Sequence, residues 1–274
     1  MDRLFKLSKV EQTIVQFILV AYTIVVIFPL GIAVINSLKP SLGEVYRAPV
    51  ALPSVWTFGN YYEAWVGANF SRYFLNSAII SGACVLIVTF CASTTAFVLV
   101  RMPFKGSTIL FAAYMLGVVI PIRLTLAPLF TIVKTLGLLD NLWGVIFVQA
   151  ASMMPVAVFI LTAFLRNVPA ELEEAAKMDG ALPFEIYWRV VLPLVKPALA
   201  TVALLTFVQS WNEYFLPLIF LQSESNYPIT LGISQFRLQF DVQWHLMFAG
   251  ILIMLVPTIV AFLLALGAAI ILIG

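Results

Sequence analysis

Arg166-Asn-Val-Pro169-Ala-Glu171-Leu-Glu-Glu174-Ala-Ala176-Lys-Met-Asp-Gly180 leads into Ala181-Leu-Pro183-Phe-Glu185-Ile-Tyr-Trp-Arg189-Val-Val-Leu-Pro193, a charged interlude between long apolar runs. Pro169 suits the first turn of a helix, where its missing N–H costs nothing. Glu171, Glu173 and Glu174 crowd that turn, where carboxylates complement the positive end of the helix dipole. Gly180 stands where a left-handed C-cap is expected. Leu182-Pro183 restarts a second helix that runs to Pro193. The spacing therefore predicts two short helices joined by a tight turn. The small pair Ala175 and Ala176 suits close docking into a groove. The first helix lacks the bulky aromatic face of a membrane-surface anchor.

Working outward, the surroundings are those of a chain solvated by lipid. Of 274 residues, 62% are hydrophobic and 10% charged, against about 25% charged in soluble domains; the mean hydropathy is +1.05. A helix needs about 20 mostly apolar residues to cross a bilayer. Six runs qualify, near 13–35, 73–100, 107–133, 142–165, 196–221 and 246–272. The fold class expected is all-α integral membrane, with six spans forming a single domain over 1–274. The first run follows Asp2, Arg3, Lys6 and Lys9 like a signal sequence. It is too long for a signal core and no small-residue cleavage site follows, so it is read as a retained span. Pro121, Pro128, Pro155, Pro217 and Pro257 fall inside runs and are expected to kink them.

Orientation follows from Lys and Arg. With the N-terminus inside, the inner segments hold Arg3, Lys6, Lys9, Arg101, Lys105, Arg166, Lys177, Arg189 and Lys196. The longer outer segments hold Lys39, Arg47, Arg72, Lys134 and Arg237. This asymmetry puts both termini and the loop 166–195 in the cytoplasm of a bacterial inner membrane. The outer segment 36–72, with Pro40, Pro49, Pro53, Trp56, Tyr61, Tyr62 and Trp65, reads as a folded interfacial cap. Several functions are disfavoured. A net charge of +2 gives no nucleic-acid footprint. Cys84 and Cys91, seven positions apart on one helix and so about 10 Å distant, cannot bridge. With one histidine, His245, they make no metal constellation. No G-x-x-x-x-G-K-[ST] phosphate loop is present, so the chain brings no ATPase of its own.

The quoted loop resembles the EAA loop of ABC importer permeases: Glu174-Ala175-Ala176, Gly180, Val190 and Leu192-Pro193 stand at that family's spacing. Trp211-Asn212-Glu213-Tyr214-Phe215-Leu216-Pro217-Leu218 is similar to the W-N-[DE]-x-x-x-P-L segment of carbohydrate permeases of the maltose and glycerol-phosphate type. So are Ile35-Asn36-Ser37-Leu38-Lys39-Pro40, Asn60-Tyr61, Phe74-Leu75-Asn76-Ser77 and Leu136-Gly137-Leu138-Leu139-Asp140-Asn141. The likeness covers about residues 25–265 and is to the second, six-span permease of such systems. It implies docking of ATP-binding subunits through Glu171, Glu174, Ala175, Ala176, Met178 and Asp179. Gly180 would make the turn, and Val190, Leu192 and Pro193 would seat the second helix on the bundle. It further implies a second permease subunit, two ATP-binding subunits carrying ATP and Mg, and an extracytoplasmic binding protein. No cofactor is expected on this chain. Relatives usually end in a basic tail, whereas no Lys or Arg follows Arg237 here.

Ionisable groups within a span are functional candidates. Arg123 follows Pro121, and Glu213 sits with Asn212 and Gln209 near the end of the fifth run. One reading makes them a structural polar cluster, with Glu213 facing Arg123 or a group on the partner permease. The other has them touch sugar hydroxyls, with Gln149 and Ser152 as further candidates. A polyol or glycerol phosphate ester remains a possible cargo. A stand-alone secondary carrier would need coupling-ion residues and repeats, of which only Glu213 and Arg123 are candidates. No catalytic set is present.

Overall fold

In hydrocarbon every backbone N–H and C=O must be satisfied within its own segment, so apolar runs of this length fold as helices. The computed structural model describes residues 8–67, 69–235 and 243–273, and among these every regular element is helical. Arg3, Lys6 and Arg237, used above for orientation, lie outside the described residues.

The chain divides into two compact units, Met1–Phe70 with Ile233–Ile253, and Ser71–Gly232 with Met254–Gly274. The first unit opens with α1, Lys9–Ser37. Ser8 caps it, accepting from Glu11 N–H at 3.3 Å while its own N–H donates to Glu11 Oε2 at 2.7 Å. Beyond α1 come α2 (Leu42–Arg47), α3 (Gly59–Tyr62) and a π turn, Glu63–Gly67. Two of the recurring sequence fragments meet here. Asn60 Nδ2 donates to the carbonyls of Ser37 and Lys39, both at 2.8 Å, and the hydroxyls of Ser37 and Tyr61 lie 2.7 Å apart. Lys39, fully buried, donates to Asn36 Oδ1 at 2.8 Å and Ala48 O at 2.6 Å. Burial pushes its ammonium pKa down, and the Glu44 carboxylate draws it partly back. Such a charge is tolerated only because its protons find acceptors.

The second unit holds α4 (Phe70–Arg101), α5 (Ser107–Val119), a 3₁₀ turn (Ile122–Thr125), α6 (Leu126–Thr135) and α7 (Leu142–Arg166). The 166–195 loop follows, with α8 (Glu171–Met178), α9 (Pro183–Ile186), a π turn (Tyr187–Val191) and α10 (Leu192–Leu194). Next come α11 (Lys196–Trp211) and α12 (Phe215–Phe220) in the same unit; α13 (Ile229–Gln235) and α14 (Trp244–Ile273) are divided, their residues within Ile233–Ile253 belonging to the first unit. The core runs along α4, α7 and α11, with Cys84, Val88, Ala92, Val145, Val158, Leu161, Ala198 and Val202 buried.

Four helices (α1, α4, α7 and α14) are long and apolar enough to cross as single spans, and counting each of two bent pairs as one span gives six by length and composition. α5 and the 3₁₀–α6 segment meet at 94°, and the α9–α10 segment meets α11 at 78°. The third run is therefore broken after Val119 rather than merely kinked. The fifth helix ends at Trp211, ten residues before the expected 221. Pro155 and Pro257 do lie inside continuous helices. Pro128 and Pro217 instead fall in the first turns of α6 and α12, where the N–H has no acceptor to lose. Pro169 sits just before α8, whose N-cap is Ala170.

Candidate functional site

The 166–195 loop is built by its termini. α8 ends in a Schellman motif: Gly180 N–H donates to Lys177 O and Ala181 N–H to Ala176 O, both at 3.0 Å. Gly180 has φ +85°, as its position in the sequence predicts. Glu185 Oε2 then accepts from Leu182 N–H at 3.0 Å to open α9. Between these anchors the hairpin presents one face. Glu171, Leu172, Glu174, Ala175, Lys177, Met178 and Asp179 are exposed, Met178 at 88%, and Leu182 and Phe184 extend the face. The small pair divides: Ala175 points outward, whereas Ala176 packs on the core. Val190 and Leu192 also pack on the core. Pro193, unlike these two, is exposed. Its missing N–H falls two residues past the π turn, where the ladder is already irregular.

Behind that face lies Glu173, a residue the sequence offered no reason to separate from its neighbours. It is buried, and its Oε1 meets Arg101 Nε at 2.6 Å. The same guanidinium donates through Nη2 to Leu165 O at 3.0 Å and Val168 O at 2.7 Å. The 72-residue separation hides this pair from any local pattern.

The membrane-embedded candidates are only partly brought together. A cavity of about 750 Å³ lies between the α5–α6 break, α7 and α11, lined by Pro121, Ile122, Thr125, Ser152, Pro155 and Gln209 among others. Irregular backbone at membrane depth is tolerated where protein buries it or a watery cavity lines it. Ser152 and Gln209 are in that wall, and Ser152 Oγ also donates to Gln149 O at 2.7 Å. Gln149 itself is 1% exposed and accepts from Ser210 Oγ at 2.6 Å, inside the core. Glu213 does not pair with Arg123. Its Oε1 accepts from Phe215 N–H at 2.7 Å and Leu216 N–H at 3.2 Å, opening α12. Arg123 stacks 5.2 Å over the Phe215 ring. Asn212 is exposed and bonds back to Val208 O at 2.8 Å.

The Leu136–Asn141 fragment has a physical account. Gly137 (φ +68°) closes α6 with a second Schellman motif, Leu138 N–H to Val133 O at 2.9 Å. Asn141 Oδ1 caps α7 through Trp143 N–H at 2.9 Å. Between them Asp140 (φ +54°) gathers the 222–226 loop. Its carboxylate accepts from the backbone of Gln222 (2.9 Å) and Ser223 (2.8 Å), from the Ser223 hydroxyl, and from Asn226 Nδ2 at 3.2 Å. Asn76 reaches the same loop, donating to Ser225 O at 3.0 Å and Tyr227 O at 2.9 Å, and Ser77 Oγ accepts from Ile229 N–H at 2.8 Å. Hydrogen bonds from Ser223, side chain first, with Gln222 and Asn226, hold the Asp140 pKa down to about 2. A depressed carboxyl stabilises the fold above its unfolded pKa, about 3.9, and that contribution disappears as pH falls through about 2. Asp140→Ala is expected to lower the thermal midpoint of the detergent-solubilised protein at pH 7 and to flatten its decline between about pH 4 and pH 2. An unchanged acid limb in the variant would refute the assignment.

Residues 87–267, which include the 166–195 loop and the cavity wall, match the family described as binding-protein-dependent transport system inner membrane component. The diacetylchitobiose uptake system permease protein of Streptomyces coelicolor is 31% identical over 89% of this chain and 82% of its own. The melibiose/raffinose/stachyose import permease protein of Bacillus subtilis is 32% identical over 86% of this chain and 85% of its own. The fold matches a bacterial ABC transporter involved in import of the acidic polysaccharide alginate, with a TM-score of 0.81 and 22% identity over 95% of this chain and 98% of that one. A six-segment helical membrane fold, a protruding acidic-apolar hairpin and a match across two thirds of the sequence agree: the chain belongs to the inner membrane components of binding-protein-dependent transport systems.

Proposed function

We propose that this chain is the translocation subunit of an ATP-driven importer that carries an oligosaccharide into a bacterial cell. The observation that carries the reading is the exposed face of the α8–Gly180–α9 hairpin. It combines carboxylates (Glu171, Glu174, Asp179) with bare apolar side chains (Leu172, Met178, Phe184) at the tip of a rigid turn. Apolar groups left exposed beside charges mark a surface meant to be covered. In this reading an ATP-binding subunit covers it in the cytoplasm, both chain termini lie on that side, and ATP and Mg reside on two such partners. A second permease supplies the other wall of the path. An extracytoplasmic binding protein delivers cargo to the 36–72 cap and the 222–245 segment. Closure of the ATP-binding pair moves the hairpin, and the spans rock about the bent α5–α6 segment to open the path alternately to each side.

Sugar cargo is supported by the relatives named for diacetylchitobiose and for melibiose, raffinose and stachyose. Ser152 and Gln209, at the wall of the 750 Å³ cavity, offer uncharged hydrogen-bonding groups suited to hydroxyls. The test is reconstitution of the complex in proteoliposomes with the cognate binding protein outside and ATP inside. Uptake of an oligosaccharide should require both. A thermal shift of the binding protein with sugars, polyols, glycerol phosphate esters, amino acids and peptides selects the cargo, and stabilisation by a non-carbohydrate alone would overturn the sugar assignment.

A further inference from the structure

The buried side of the hairpin makes a second argument, and it rests on the docking role proposed for the exposed side. α8 is eight residues long, too short to hold its orientation unaided. Movement imposed on its outer face reaches the spans only through what grips its inner face. The gripping group is Arg101, in the last turn of α4. Its side chain is 14% exposed, and that of Glu173 4%. Nε forms an ion pair with the Glu173 carboxylate of α8 at 2.6 Å, without the angle of a hydrogen bond. Nη2 donates to the carbonyls of Leu165, in the last turn of α7, and Val168, two residues past its end. One planar cation thus satisfies the negative end of α7, complements the end of α4 itself and neutralises the first-turn carboxylate of α8. Three helix termini are pinned on one guanidinium.

We propose that Arg101 is the positioning residue that transmits displacement of α8 to α4 and α7, with Glu173 as its handle. The requirement is geometric as well as electrostatic. A lysine carries its three N–H donors on one nitrogen, so it cannot reach acceptors that the guanidinium serves from separate atoms, Nε and Nη2, of one plane. A neutral handle keeps the shape of Glu173 but loses the charge. The relay therefore predicts uncoupling rather than simple loss of function. The ATP-binding subunits still dock on the unaltered outer face and hydrolyse ATP, but their movement is spent on a loosened helix.

The experiment compares substrate taken up per ATP hydrolysed, in reconstituted complexes matched for subunit content, for the unaltered chain and four variants. Arg101→Met should lower the ratio about tenfold, and Arg101→Lys and Glu173→Gln by about threefold, in the range of coupling changes made away from any ligand. Should Arg101→Met alone leave an orphaned carboxylate and fail to assemble, Arg101→Met with Glu173→Met removes both charges. That pair should assemble yet keep the low ratio, because the α7 carbonyls remain ungripped. A merely structural role would reduce the amount of complex and leave the ratio at the unaltered value. That result, or a normal ratio in Arg101→Lys, overturns the relay. Glu174→Lys, on the outer face, tests the parent reading separately. If it retains the ATP-binding subunits and full uptake, docking through α8 is wrong and the relay falls with it. If it loses them while Arg101→Met keeps a normal ratio, the relay alone is wrong.

Discussion

Gly144→Ala is expected to prevent recovery of stably folded protein. Gly144 lies in the first turn of α7, and a Cβ there would stand 2.3 Å from the carbonyl oxygen of Leu138 and 3.2 Å from its carbon. The obstacle is backbone, held at both sides. Leu138 N–H is committed to Val133 O, and two residues on Asp140 N–H donates to Phe220 O at 2.8 Å. Relief requires the Schellman turn after α6 to open or α7 to withdraw from it. Either movement disturbs the Asp140 cluster and the buried packing of Val145 and Ile146. Forced overpacking costs about 1–3 kcal/mol where side chains can yield, and more is expected where only backbone can move. Gly82→Ala is the matched control: it sits in a span, and nothing lies within 4 Å of its added Cβ. Monodisperse yield and thermal midpoint in detergent measure both. Equal behaviour of the two variants would contradict the close approach of α7 to the 136–141 turn.

Glu174→Lys is expected to leave the fold intact while abolishing transport. Glu174 is exposed, and among the described residues the ion pairs are Arg101–Glu173 and Glu185–Arg189, so no charge partner within the chain is lost. What changes is the face proposed to meet an ATP-binding subunit. Three carboxylates, Glu171, Glu174 and Asp179, and one cation, Lys177, are exposed around Leu172 and Met178. Charge complementarity asks for basic groups opposite the carboxylates, so reversing the middle charge brings like charges together. Such like-charge contact costs several kcal/mol in a desolvated interface, or about a hundredfold or more in occupancy. Glu174→Ala should lose far less. Co-purification with the ATP-binding subunits should fall together with ATP hydrolysis and uptake. This joint loss separates a failed docking face from the uncoupling expected at Arg101.

Periodicity and composition made the helices legible, because lipid leaves the backbone no other way to satisfy itself. Gly180 was legible for a local reason: a helix followed by a reversal needs a left-handed residue. Other features depended on distance. The break between Val119 and Leu126 showed only as Pro121 in an apolar run, and the end of α11 at Trp211 had no apolar signal because Phe215–Phe220 continues the same composition. Glu213 looked like a membrane-buried charge, yet it opens α12, a role that any short carboxylate at a helix start can take. Glu173 and Arg101 were invisible as a pair. Both lie among charges of their own loops, and only the convergence of α4, α7 and α8 sets them apart. Asp140 appeared within a recurring fragment, but its grip on residues 222–226 could not be inferred from spacing.

From Ile14 to Val34 α1 is almost wholly apolar. From Asn36 onward almost every side chain through Lys39 is engaged, with Asn36, Ser37 and Lys39 all at or below 1% exposure. Selection therefore acts on the two stretches by different rules. Along most of α1 one apolar residue should substitute freely for another, since solvation by lipid asks for hydrophobicity and not for shape. At 36–39 even conservative exchanges, such as Asn36→Asp or Lys39→Arg, should be excluded. A saturation library scored by growth on the imported sugar would trace that change as a step at the end of one helix, where the grammar of the sequence passes from composition to spelling.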